Sequence, residues 1–219
     1  MNTTAPPDTV PLLADGLFLL AHDELSGKPR LSQSVMRLGL AGALFGELAL
    51  AEKILLRGES VVLTDSQPPS DALTGSVYQQ LLRSVTPRPV RDWLLYFADD
   101  ALGQVAGRLV QRGVLVAHPA RLSRSTRYQF ADPNGGMKAT LGLCTKVMRR
   151  QPLDAANTML AGLVGATGLE HPGLFEVRDD PSARRYLQES LHVLHPPTLR
   201  ALLTETRAAI EAAVITHRA

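Results

Sequence analysis

Cysteine is nearly absent from this chain. Cys144 stands alone and cannot close an internal disulfide, so the sequence is expected to work in a reducing, cytoplasmic setting. Aromatic residues make up only 5% of the 219 residues, so the core must be built from Leu, Val and Ala. That favours helices, because β-rich cores lean on aromatic and β-branched side chains. Long apolar runs are missing too. The longest candidate, from Leu38 to Ala51, carries Glu47, and no stretch reaches the roughly 18 apolar residues of a membrane span. The first residues, Met1 to Pro11, lack a basic segment, and Asp15 interrupts the apolar stretch Leu12 to Ala21, so no signal peptide is expected.

Catalytic and metal signatures are also missing. There is no Gly-x-Ser-x-Gly elbow, paired CxxC, HExxH or phosphate-binding Walker loop. His192 and His195 have no third ligand within reach and read as residues at a helix end. The pairs Asp23-Glu24, Asp99-Asp100 and Asp179-Asp180 are adjacent in sequence, so neither member can share a helix face with the other. Cys144 reads as a core residue beside Leu143. Gly162, Gly165 and Gly168, at three-residue steps, read as a close helix contact. No enzyme, metal or cofactor is expected from these residues.

What the chain has is arginine in one place. Net charge is only +2, yet residues 101–150 hold nine basic residues against Asp132 alone. They are Arg108, Arg112, Arg121, Arg124, Arg127, Lys138, Lys146, Arg149 and Arg150. Such asymmetry points to a basic face for anionic, phosphate-bearing partners, or to a solvated face in a chain that prefers Arg to Lys.

Periodicity and turn chemistry give a mainly α fold, a single helical domain over 10–219 decorated by short β-hairpins, after a loose tail over 1–9. Val10 to Leu20 reads as a short helix running into a strand. The loop His22 to Arg30 turns at Gly27 and Pro29. A central helix opens at Leu31 or Ser32 with a hydroxyl cap, and Val35, Leu38, Ala41, Phe45 and Leu48 form its face. A hairpin follows around Arg57-Gly58-Glu59. Helices are expected over 71–84, 89–98 and 102–112, the last closed by Gly113 in a left-handed cap. Strands over 114–117 and 127–131 make a second hairpin, so the helix–turn–hairpin unit occurs twice. Helices from Gly135-Gly136 to Arg150, over 154–165, 181–193 and 197–217 complete the chain.

The unit ending Leu109-Val110-Gln111-Arg112-Gly113-Val114-Leu115 and its basic hairpin have the local look of a winged helix, which makes nucleic acid one candidate partner. A wider resemblance points elsewhere. Gly27-Lys28-Pro29-Arg30, then Gly39-Leu40-Ala41-Gly42-Ala43-Leu44 and Glu47-Leu48-Ala49-Leu50, the first hairpin, Asp92-Trp93-Leu94, the Leu109 to Leu115 run and the tail around Leu160-Ala161 resemble the Golgi phosphoprotein 3 family in order and spacing. The resemblance covers roughly residues 10–215, and the Ala-, Arg- and Leu-rich composition suggests a bacterial, actinobacterial member.

The resemblance implies a mostly helical protein that binds phosphatidylinositol 4-phosphate at the membrane periphery; a protein client is a further candidate partner. The family's headgroup tryptophan falls on Ser32 and its helix arginine on Ala41, while the segment between Trp93 and Gly113 is shorter here and gives two further arginines no secure equivalents. In their stead, Lys28, Arg30 and Arg37 are expected to meet an anionic headgroup, because guanidinium groups fork onto phosphate oxygens. Arg121, Arg124 and Arg127, with Tyr128 and Phe130, are expected to touch the bilayer surface, at about 1 kcal/mol per basic residue.

Overall fold

A computed structural model describes residues 12–84, 86, 88–119, 126–132, 142–171 and 177–216. Besides a short helical piece over 177–179, eight helices and two hairpins are built from them: α1 (Leu13–Leu20), α2 (Gln33–Leu50), β1 (Ile54–Arg57), β2 (Ser60–Leu63), α3 (Ala72–Arg83), α4 (Val90–Gln111), β3 (Leu115–Pro119), β4 (Thr126–Phe130), α5 (142–148), α6 (Ala155–Thr167), α7 (Pro181–His192) and α8 (Pro197–Thr216). The fold is mainly α with short hairpins. The expected tail, the loop holding Arg121 and Arg124, and the expected helix start at Gly135-Gly136 lie outside the described residues.

The central element is α2, which packs against α1, α4, α6 and α8. Its face of Val35, Leu38, Ala41, Phe45 and Leu48 is buried as the periodicity requires, and so are Leu40, Ala43 and Leu44 on its other sides. An all-round apolar helix must be enclosed by others. Gly42 lets α8 come close, because a Cβ there would run into the side chain of Thr206. Ser32 does sit at the N-cap of α2, but its hydroxyl makes no capping bond and lies 3.3 Å from the Ser34 hydroxyl instead. Asp71 caps α3 and Asp154 caps α6, each accepting a backbone N–H of the first turn.

Two further expectations change. The apolar stretch ending at Leu20 is helix throughout and does not run into a strand; only an isolated bridge between His22 and Pro29 follows. Residues 89–98 and 102–112 belong to one 22-residue helix, α4. Asp99 and Asp100 read as a break, but they are simply its exposed face, and nothing there forbids helical geometry.

Both hairpins leave their helices by the same turn. Glu52 and Gly113 each take a left-handed conformation, and the next N–H closes back five residues, Lys53 to Leu48 and Val114 to Leu109. The β1–β2 register pairs Ile54 with Leu63 and Arg57 with Ser60, leaving Gly58-Glu59 as the turn. In β3–β4, Leu115 faces Phe130 and Ala117 faces Tyr128. Among the described residues no helix is long and apolar enough to cross a membrane.

Candidate functional site

Two gatherings of charged groups are organised in opposite ways. The first is buried. Asp15 of α1, Glu47 of α2 and Asp71 before α3 converge on Arg108 of α4. Arg108 Nε donates to Asp15 Oδ1 at 2.8 Å, Nη1 to Glu47 Oε2 and Asp71 Oδ1 at 2.9 Å, and Nη2 to Glu47 Oε1 at 3.0 Å. Arg112 adds bonds to Asp15 Oδ2 at 2.8 Å and Asp71 Oδ2 at 3.2 Å. Glu47 Oε1 also accepts the Ala14 N–H at the start of α1. Desolvation raises the carboxyl pKa of Asp15 and Glu47 even with Arg108 beside them. Burial opposes the Arg108 charge, but Glu47, Asp15 and Asp71 outweigh it and hold the guanidinium protonated.

With these bonds made, the network fixes four segments and offers little to a ligand. It also corrects the basic band read from composition. Arg108 is 5% exposed and structural, and Arg112 is ion-paired. Arg127, Arg149 and Arg150 are exposed, whereas Arg121, Arg124 and Lys138 lie outside the described residues.

The second place is the loop between α1 and α2, with the second hairpin against it. The loop holds itself closed: Asp23 N–H donates to Lys28 O and Gly27 N–H to Asp23 O, both at 2.8 Å. Asp23 Oδ1 accepts from the backbone and hydroxyl of Ser26, and these bonds, with Arg30 nearby, lower its pKa. Gly27 has φ +65, and a Cβ there would strike the carbonyl oxygen of Tyr128, so the hairpin backbone rests directly on the loop. Tyr128 sets its ring edge against Phe18, and Phe18 stacks on His22 with centroids 4.0 Å apart.

Between loop and hairpin lies a cavity of about 370 Å³ whose lining includes His22, Lys28, Met36, Leu102, Arg127 and Tyr128. His22 Nδ1 is 2.7 Å from Phe18 O. Burial lowers its pKa, so the ring is neutral, donates from Nδ1 and keeps Nε2 as an acceptor. The cavity therefore joins two cations, one phenol and one neutral imidazole over an apolar floor.

The expected site residues are redistributed by this geometry. Lys28, from the expected headgroup set, meets Arg127 and Tyr128, from the expected membrane set, in the one cavity. Arg30 does not line it; its Nη2 pairs with Asp23 and Glu24 at 3.1 Å each, and Glu24 in turn is 3.0 Å from His171 Nε2. Arg37 does not line it either, and its buried Nε has no hydrogen-bond partner among the described residues. Phe130 is a correction: it faces Leu115 in the core at 9% exposure and is no bilayer contact. Ala41 is fully buried, while Ser32 is exposed between Leu31 and Gln33, which both reach the cavity. His22, Met36 and Leu102 were not singled out from sequence. They come from three separate segments, and no spacing rule connects them.

A family profile for Golgi phosphoprotein 3 (GPP34) matches residues 13–213. The chain belongs to the Golgi phosphoprotein 3 family. No curated protein matches the chain. The matched span of this Golgi phosphoprotein 3 relative includes both the buried network and the cavity. The winged-helix alternative loses ground on geometry: α4, its helix, buries one face in the core and exposes Asp92, Asp99 and Asp100 on the other. A helix presented to phosphates would not carry three carboxylates there. Among the described residues no group of three or more His, Cys, Asp or Glu side chains is placed to hold a metal ion.

Proposed function

We propose that this Golgi phosphoprotein 3 relative is a peripheral, non-catalytic membrane-binding protein that holds an anionic lipid headgroup in the cavity beneath its second hairpin. The observation that carries the reading is the meeting of Lys28 and Arg127, from distant segments, at one cavity mouth. Arg127 supplies a planar fork for phosphate oxygens, and Lys28 a point charge. The position matching the family's tryptophan, Ser32, sits next to the same cavity, which supports a shared location. The chemistry there differs, because Ser32 and Ala41 replace the family's aromatic and cationic groups. The lipid is therefore read as an anionic headgroup in general, and phosphatidylinositol 4-phosphate is one case to test.

In this reading Arg30 positions the loop, and Leu25, 85% exposed in that loop, reaches toward the acyl region. Arg121 and Arg124 would add to the basic contact with the bilayer. The chain would act from the cytoplasm at the inner face of the membrane, with room for a protein client elsewhere.

Liposome flotation tests it. Vesicles of phosphatidylcholine, the same with phosphatidylglycerol, and the same with phosphatidylinositol 4-phosphate are compared at low salt, with duplex DNA as competitor. Anionic vesicles should bind more tightly than neutral ones, and DNA should not displace them. The double variant Lys28→Gln, Arg127→Gln should lose about 2 kcal/mol, roughly thirtyfold. Equal binding to neutral and anionic vesicles would end the proposal.

A further inference from the structure

A second cavity, of about 380 Å³, lies between α5, α6 and α7. Its walls are apolar, among them Leu143, Val147, Val164, Leu169 and Leu187. A wall so poor in hydrogen-bonding groups does not suit a sugar or a nucleotide, whose polar groups would be left unpaired. Four ionisable residues also line it: Glu170, His171, Arg178 and Arg184. Glu170 is 3.4 Å from Arg178, which also meets Asp179, and His171 is 3.0 Å from Glu24. Arg184 is exposed and has no ion-pair partner among the described residues, so it is the surplus cation at the mouth.

Of the glycines at three-residue steps, one offers a handle on this cavity. Gly162 is forced by packing, since a Cβ there would meet Leu203 at 2.5 Å and Leu191 at 2.9 Å. Gly168 is the left-handed cap of α6. Gly165 has neither reason: it is helical, and a Cβ there would meet nothing within 4 Å. Gly103 and Gly107 of α4 are equally unconstrained, but Gly165 lines the cavity, so a larger side chain there would take up cavity space.

We propose that this cavity binds a single-chain anionic amphiphile, with its acyl chain along the apolar walls past Gly165 and its anionic head on Arg184. Carboxylate and phosphate monoester heads share this chemistry, so palmitate and a lysophosphatidate are the two probes. The uncharged alcohol hexadecanol is the control. Binding is followed by displacement of a fluorescent fatty acid from the full chain, without vesicles. One or both anionic probes should bind saturably and at least tenfold more tightly than hexadecanol, and Arg184→Gln should remove that preference. Gly165→Leu should weaken the bound probe at least tenfold while anionic vesicle flotation stays at the wild-type level, which separates this site from the headgroup cavity.

Should Gly165→Leu not fold, the wild-type chain still decides. A palmitate analogue with a photoreactive group at its chain end should label peptides from α5, α6 or α7. Absence of saturable binding by both probes, wild-type affinity in folded Gly165→Leu, or labelling confined to the 22–30 loop and β4 would each overturn the proposal.

Discussion

Arg108 and Arg127 belong to the same basic stretch, and the fold uses them for opposite ends. Arg108 meets carboxylates from three distant segments and disappears into the core, where it joins α4 to α1, α2 and the start of α3. Arg127, on β4, meets no carboxylate among the described residues and stays exposed at the cavity mouth. The difference lies in the partners, not in the arginines. A local count of charge sees both as surface, because the acids that claim Arg108 are at 15, 47 and 71.

The largest break in this comparison comes from the buried member. Arg108→Met leaves Asp15 and Glu47 without their main counter-charge in a desolvated site. Removing one partner of a buried pair costs about 3–5 kcal/mol, a large share of the 5–15 kcal/mol typical of a domain. Urea denaturation should show that loss, and adding Glu47→Gln should recover part of it by removing one orphaned charge. A loss below about 1 kcal/mol would mean that the network is not the joint described here.

How much of this could be read beforehand follows from the range of each interaction. Local rules worked where one or two residues decide the backbone, at the turn at Gly58-Glu59 and the left-handed Gly113, and missed at Ser32, whose hydroxyl makes no capping bond. They failed at Asp99-Asp100, where an acidic pair that reads as a loop or helix start lies on the exposed face of one continuous helix. Of the residues that line the cavity, Lys28, Arg127 and Tyr128 stand out in the sequence, because each sits in a segment with its own signal. Their meeting was not readable, since it depends on Gly27 receiving the backbone of Tyr128 from another element. Phe130 was misplaced for the same reason: alternation along β4 gives two faces, but only the packing says that the Phe130 side is inward.

A smaller effect sharpens what burial does to the inner group. Burial raises the Glu47 pKa above its ordinary 4.5 despite Arg108 and the Ala14 N–H. A carboxyl raised on folding contributes stability that is present below the unfolded pKa and is lost as pH rises through the folded one. Asp71 has the opposite sign. Burial works against it, but the Thr74 N–H and Arg108 prevail and lower its pKa, so its contribution is lost as pH falls. Glu47→Gln removes only the first trend. The variant should be less stable by about 1–3 kcal/mol in acid, where a hydrogen-bonded group is altered in the core. The gap to wild type should then narrow as pH rises above 4.5. Denaturation midpoints across pH measure it, and a gap that widens instead would show the ionised carboxylate to be the stabilising form.

The outer arginine gives the smallest change in stability and the cleanest contrast. Arg127→Gln removes an exposed charge with no ion pair among the described residues, so the denaturation midpoint should shift by no more than about 0.5 kcal/mol. Flotation on anionic vesicles should nevertheless weaken by about 1 kcal/mol, roughly fivefold. The contact is with a charged surface in water, so the loss should shrink as salt rises and the Debye length falls from about 10 Å at 0.1 M to 3 Å at 1 M. Arg108→Gln should invert every part of this pattern, with a large loss of stability that salt does little to relieve, since its partners are shielded from solvent. If Arg127→Gln destabilises the chain as much as it weakens vesicle binding, Arg127 is a second structural arginine and the headgroup cavity loses its outer cation.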